Sequence, residues 1–521
     1  MKLSPANILV LFSYVIFFTF TFEIPASAAI DDIMSAAANG YTYMIADYIK
    51  NKEDVNKQDS LENTPLILAV ANEHPETVKL LLDTKKTKIN AVNSYGNSAL
   101  FTACGTGNFE LVRMLTEKKA SVNLANNDKL TPLMVASSNG NEQIVKFLLQ
   151  NGANPNAKDK TGFTALMYAS LKNNLSIVKL LVENKASVNL LNSNKDSAFL
   201  LAASAGNLDT VKYLISAGAN TTQVNSAGIN ALIDASAVGN METIQYLIEE
   251  IGFNINYQDN NGNTALMAAV AFIQSDFIRQ IILQLNDPLI NNEKDMVIFL
   301  QERKKDNLSV IKYLLGCGAN VNTVNKNGFS AFLISIIEND IQVADYLLSK
   351  DADVNQITYD GDNALLLSVA NSNLNTLLFV INANININLQ NKNGKTALML
   401  AIESGNFDII NAIMSKNQLD AAITDNEGKN ALMYAVEYGY NKIAENLVKF
   451  NKININSTDK KGRTPLMYAV ETKNIATVEL MVSLKSDVSI KNSSGKTARD
   501  IAEAAGFTYA ANYLENLETI K

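Results

Sequence analysis

Apolar positions along this chain fall into short helical clusters that restart at a fixed interval. In "TPLMVASSNGNEQIVKFLLQNGANPNAKDKTGF" (residues 131–163) an apolar start at Leu133 leads to Ala136 and Gly140. Val145, Leu148 and Leu149 follow at helical spacing, and a polar stretch then runs up to "TALMYAS", where the pattern begins again. The start recurs at Thr64, Ser98, Thr131, Thr164, Ser197, Asn230 and Thr264, then at Ser330, Asn363, Thr396, Asn430, Thr464 and Thr497. The steps are 33 or 34 residues, except for one of 66 between Thr264 and Ser330. Self-similarity at such a period is the signature of stacked repeats, and each unit reads as two short helices and an extended turn.

A Thr or Ser ahead of Pro or Ala predicts a helix N-cap, because its hydroxyl accepts an orphan backbone N–H and the next residue suits a first turn. Five residues on, an alanine recurs, from Ala69, Ala103 and Ala136 to Ala435, Ala469 and Ala502. Only a small side chain lets helices of adjacent units approach there. Gly107, Gly140, Gly206, Gly239, Gly405, Gly439 and Gly506 are placed to end the first helix. Gly152, Gly218, Gly252 and Gly318 close the second, with Asn417 and Asn451 expected in that role elsewhere.

The TPL start, the alanine, the glycine and "LL..GA..N" on a 33-residue beat resemble the ankyrin repeat, over essentially the whole chain after its leader. The resemblance implies an all-α ankyrin-repeat solenoid of about 15 helix-turn-helix units with short β-hairpin-like turns. One departure is systematic: the family commonly carries His after the TPL triplet, whereas Met134, Met167, Met267, Met399, Met433 and Met467 stand there. Thioether packing replaces a hydrogen-bonding group, and the series reads as core.

The step of 66 is twice 33. Laid on residues 131–163 without a gap, residues 297–329 match Ile311, Leu314, Leu315, Gly318, Ala319 and Asn322 to the second-helix and closing positions, and the preceding stretch carries Ile278, Ile281 and Ile282 in register. The expectation is therefore two repeats, the second having lost its start: Val297 stands at the cap and Glu302 in the alanine slot, where a carboxylate needs a partner to be buried. Looser stacking, a change of curvature or a partner contact is expected between residues 270 and 306. The division is a signal peptide (1–28), an N-terminal capping repeat (29–63), repeats (64–296), a degenerate repeat (297–329), repeats (330–496) and a C-terminal capping repeat (497–521). Terminal units with polar outer faces are what a repeat stack needs in order to end.

The leader is read from Lys2, the apolar run Ile8 to Phe22 and "PASAA", whose Ala26 and Ala28 have the small-x-small spacing of a cleavage site. That run is short of the roughly 20 residues a spanning helix needs, so export with cleavage after Ala28 is expected, with no stable membrane insertion afterwards. Little chain then precedes the first unit, and no separate catalytic domain is expected. The formal net charge of −8 argues against nucleic acid as a partner, because phosphate contacts need clustered Lys and Arg. Two cysteines, Cys104 and Cys317, do not make a disulfide scaffold. Cys104 reads as core, Cys317 as exposed, and no bond between them is expected. The Asn/Lys/Ile-rich composition is compatible with a bacterium of AT-rich genome.

Candidate chemistry is sparse. His74 is the only histidine, at a place between helices where the ankyrin pattern often has one, and reads as structural. No phosphate loop, Cys-x-x-Cys or zinc spacing occurs, so no catalytic residue, cofactor or metal is expected. What remains is surface. The resemblance implies that partners are held by turn tips and first-helix ends on a concave face, and in those slots stand Tyr95, Phe163, Phe329 and Tyr359 at tips and Phe272 and Tyr438 at helix ends. Aromatic residues are favoured anchors of protein interfaces; the alternative is that some pack on a neighbouring tip. Towards the C-terminus the slots become charged, with Lys392, Lys395, Lys429, Lys460, Lys461, Arg463 and Lys496 at tips and Glu403, Glu437 and Glu471 at helix ends. Two readings stand: mutual neutralisation along a solvated face, or a patch that steers a charged partner. The function expected is a monomeric, non-enzymatic protein-protein interaction scaffold, periplasmic or secreted. A secreted effector and a periplasmic protector of a resident enzyme are specific versions of it, and an enzyme with an unrecognised site is the competing class.

Overall fold

The computed structural model describes residues 32–271, 307–451 and 453–519. The expected signal peptide, Phe272, Val297 and Glu302 lie outside them. The chain divides into two compact units, Met1–Ala319 and Asn320–Lys521. In the first unit, helix pairs run from Ile33–Ala38 with Thr42–Lys50 to Ala231–Val238 with Met241–Glu249, followed by Ala265–Ala271 and the helical residues 307–316. In the second they run from Ala331–Ile337 with Ile341–Leu348 to Ala498–Ala504 with Thr508–Thr519. The described residues hold fourteen first helices, one short of the expected number of units. The turns make only two isolated β-bridges among the described residues, Val92 with Ser98 and Thr424 with Asn430.

Local chemistry forms each element as the pattern predicts. The Thr64 hydroxyl accepts the Ile67 N–H at 3.3 Å, and Asn230 Oδ1 accepts that of Ile233 at 2.9 Å. In the first unit, where no TPL start exists, the Asp32 carboxylate accepts the Ser35 N–H at 2.9 Å. Between these caps and the second helices lies the tightest layer of the fold: Ala69, Ala103, Ala136, Ala169, Ala202, Ala235, Ala269, Ala401, Ala435, Ala469 and Ala502 are all 0% exposed. The six methionines beside them are buried as well. First helices of successive repeats touch one another along this layer.

Gly107, Gly239 and Gly405 end first helices in the left-handed region. Second helices close differently from expectation. Gly152, Gly218, Gly252 and Gly318 take positive φ, but neither Asn417 nor Asn451 does; Lys52, Lys119, Lys185 and Lys485 are left-handed instead. His74 is structural: its Nε2 lies 3.1 Å from the Ala38 carbonyl of the preceding repeat.

Beyond the helices, an asparagine in several of the polar stretches clamps the next repeat with both ends of its amide. Asn189 Nδ2 donates to the Gly218 carbonyl at 3.0 Å, and its Oδ1 accepts the Asn220 N–H at 2.8 Å. Asn123, Asn156, Asn322 and Asn388 do the same at the same spacing.

These regular contacts locate the residues after the 66-residue step. A Cβ at Gly206 would meet Asn240, 34 residues on, whereas a Cβ at Gly239 would lie 2.6 Å from Asn307 Oδ1. Asn256 Nδ2 donates to Gly318 at 3.2 Å, and the Tyr313 hydroxyl to Glu249 Oε1 at 2.6 Å. Buried Asn307 donates from Nδ2 to the Ala269 carbonyl at 3.2 Å. Helix 307–316 thus stands as the second helix of the repeat that Thr264 begins. Of the expected degenerate repeat at 297–329, residues 297–306 lie outside the described residues. The helix opens on Asn307, like the second-helix caps Asn141, Asn174, Asn207 and Asn240.

Two measurements check this packing. Asn189→Ala removes two partly solvated hydrogen bonds and is expected to cost about 1–2 kcal/mol in denaturant unfolding. A double-mutant cycle of Glu249→Ala with Tyr313→Phe is expected to give a coupling of about 0.5–1 kcal/mol; two repeats in the 264–329 stretch would separate the pair by a layer and give none.

Candidate binding surface

In several repeats the residue immediately before the first-helix cap is turned inward. Asn63, Asn97, Leu130, Phe163, Asp196 and Lys429 hold this place and are all under 9% exposed. Phe163 accordingly is not an exposed anchor: its ring packs 5.3 Å from that of Tyr168 in its own first helix. Phe329, in the same place, is half-buried. Tyr95 and Tyr359 stand two or three positions earlier, on the turn itself, and each is 60% exposed. Tyr438 is exposed at the end of its first helix. The tip slots are therefore of two kinds, and the aromatic residues that face solvent stand in the earlier one.

Lys395, Lys429 and Arg463 occupy the inward place in three consecutive repeats of the second unit. Each reaches along its own first helix to a carboxylate eight residues on. Lys395 Nζ lies 2.7 Å from Glu403 Oε2, Lys429 pairs with Glu437, and Arg463 Nη1 lies 3.2 Å from Glu471 Oε2. The Arg463 Nε also binds Asp459 Oδ2 at 2.8 Å. Each of these three cations is thus paired with a carboxylate of its own repeat.

Tyrosines that the sequence reading passed over lock the row together. Tyr434 donates its hydroxyl to Asp425 Oδ2 at 2.7 Å, and Tyr468 to Asp459 Oδ2 at 2.9 Å. Lys429 Nζ sits 4.3 Å from the Tyr434 ring centroid and 5.1 Å from that of Tyr468; Lys395 Nζ is 5.5 Å from Tyr434, and Arg463 Cζ is 4.4 Å from Tyr468. Each ring thus lies between the cation of its own repeat and that of the one before, a favourable placement over the negative ring face. Burial and the hydrogen bond to Asp425 or Asp459 push both phenols up. Burial opposes ionisation of Asp459 itself, but the Arg463 backbone N–H, the Tyr468 hydroxyl and the guanidinium outweigh it and hold the carboxyl below its usual range. The signal was in the sequence: "DKTGFTALMY" (159–168), "DNEGKNALMY" (425–434) and "DKKGRTPLMY" (459–468) share the Asp-to-Tyr spacing. In the first of them Tyr168 donates to Asp159 at 2.7 Å and Phe163 replaces the cation.

What faces solvent is the acidic and aromatic side. Glu403, Glu437 and Glu471 have side chains 37–39% exposed, against 10–23% for their cations. Beside them Tyr438 stacks on Tyr440 at 5.9 Å, and Phe407, 50% exposed, meets the Tyr440 ring edge-on at 5.0 Å. In the first unit Asp196 holds the place of these cations, and Asp234, four residues after its cap, the place of Tyr434 and Tyr468. Burial, and then the charge of Asp196, raise the Asp234 carboxyl well above its ordinary range.

Among the described residues no three His, Cys, Asp or Glu side chains gather as metal ligands, and no helix is long and apolar enough to cross a membrane. Cys104 is buried and Cys317 exposed, both as free thiols; burial raises the Cys104 thiol.

Family models described as ankyrin repeats match residues 33–126, 118–192, 199–292, 300–391 and 374–459, with further ankyrin-repeat models at 170–215 and 447–502. No curated protein matches the chain.

The raised carboxyl of Asp234 fixes a sign. A carboxyl with a folded-state pKa above its unfolded value of about 3.9 supports the fold below that value and loses the contribution as pH rises through the folded one. Asp234→Asn is therefore expected to raise the thermal midpoint at about pH 7 and leave it unchanged near pH 3, as read by calorimetry at both.

Proposed function

The chain belongs to the ankyrin repeat family, and from that premise we propose that it is exported from a bacterium and holds a protein partner on the face formed by its turns and first-helix ends. Ankyrin repeats are protein-protein interaction scaffolds, generally without enzymatic activity. The observation that carries the finer reading is the exposed aromatics: Tyr95 and Tyr359 on turns, Tyr438 at a first-helix end and Phe407 at the start of a second helix. Such rings are the residue type that anchors interfaces. Export is supported by the apolar run after Lys2 and the Ala26-x-Ala28 spacing. After cleavage the chain acts in the periplasm or outside the cell, as a monomer.

Two outcomes are expected. Mass spectrometry of the chain recovered from producing cells finds an N-terminus at Ala29; an intact Met1 chain confined to the cytoplasm contradicts export. In affinity capture with the purified chain, Tyr359→Ala combined with Tyr438→Ala is expected to weaken retention of a specific partner about tenfold or more, as for a hot-spot residue. Retention unchanged by the double substitution contradicts binding on this face.

A further inference from the structure

The proposed partner face can be given a chemistry, an inference that rests on the reading of the chain as a protein-binding scaffold. The repeats beginning at Thr396, Asn430 and Thr464 are consecutive, and their first helices pack on one another. Glu403, Glu437 and Glu471 hold the same place in each, seven residues after the cap.

The sign of the face follows from how its ion pairs are oriented. Lys395, Lys429 and Arg463 lie inward, over the Tyr434 and Tyr468 rings, and their carboxylate partners lie outward. Asp425 and Asp459, buried beneath, add negative charge to the same three repeats. A charged group approaching the first-helix ends therefore meets oxygen first. The Tyr438 phenol registers this field: partial burial, and then the Glu403 and Glu437 carboxylates, raise it. Tyr438, Tyr440 and Phe407 offer ring faces beside the row, and a guanidinium or ammonium gains from both a carboxylate and a ring face. Exposed Lys460 and Lys461 mark the boundary of the face on the turn side.

Spacing selects the shape of the occupant. Packed helices stand about 8–10 Å apart, so the three glutamates recur at about that interval. Same-face residues of a β-strand recur at about 6.7 Å. A polyproline II segment rises about 3.1 Å per residue with three residues per turn, so every third side chain returns to one face after about 9.3 Å.

The geometry points to a docking face for an extended cationic segment of a protein partner, carrying Arg or Lys at every third residue and laid across the first-helix ends from Glu403 to Glu471. The segment's cations sit on the three carboxylates, and its backbone crosses the Tyr438–Tyr440–Phe407 cluster.

Fluorescein-labelled peptides with three Arg residues at i, i+3 and i+6 in a Pro-rich frame test it by anisotropy against the full chain, which has no Trp of its own. The spaced peptide is expected to bind at least tenfold more tightly than one of the same composition with its arginines contiguous, and a Glu-substituted peptide not to bind. Glu403→Gln with Glu437→Gln is expected to weaken the spaced peptide about tenfold. Because those changes also unpair Lys395 and Lys429, Phe407→Ala with Tyr438→Ala, which leaves every ion pair intact, is expected to weaken it as well. Equal binding of spaced and contiguous peptides, or binding indifferent to both double variants, overturns the inference. Tyr438-dependent capture of a partner without Arg-peptide binding sinks this chemistry alone and leaves the scaffold reading standing; loss of both sinks the two together.

Discussion

Everything in this fold depends on how closely the first helices of neighbouring repeats can approach. At the alanine slot no solvent reaches any of the eleven alanines, and close-packed interiors do not absorb extra methylenes without displacing backbone. Where alanine is absent the slot still holds something small, as with Ser335 and Ser368, which turn their hydroxyls back onto the Phe332 and Leu365 carbonyls. With that distance fixed, the Asn clamps reach, the turns meet their neighbours, and the cation of one repeat lands over the tyrosine of the next. Lys429 touches the Tyr434 and Tyr468 rings together because one layer separates them.

The same constraint accounts for the step of 66 residues. A stack whose members contact only their neighbours continues wherever a cap, a small residue and an apolar second helix can be supplied. Thr264, Ala269 and helix 307–316 supply them, and Asn256 and Glu249 find partners at Gly318 and Tyr313 as their equivalents do elsewhere.

Most of the fold was legible because its determinants sit within one repeat and recur. The caps at Thr64 and Asn230, the buried methionines and the glycine helix ends were read from spacing alone and stand where expected. Side-chain direction in the turns was not legible. Phe163 and Tyr359 belong to the same short polar stretch of their repeats, yet one is buried and the other in water, because the residue next to the cap folds over its own first helix. The direction of the charges was not legible either: the sequence showed cations and carboxylates in parallel slots, and the structure turns Lys395, Lys429 and Arg463 inward behind glutamates. An Asp nine residues before a Tyr was the available clue, and it acquires meaning only once the turn is known to bring Asp425 against Tyr434.

The claim that first-helix contact at the alanine slot holds the stack is most directly tested by hydrogen exchange on Ala169→Leu. The account predicts that amides of Pro132–Ser138 and Ala198–Ser204, in the repeats on either side, lose protection together with those of Ala165–Leu171. Loss confined to Ala165–Leu171 and its own second helix, Leu175–Glu183, would contradict it.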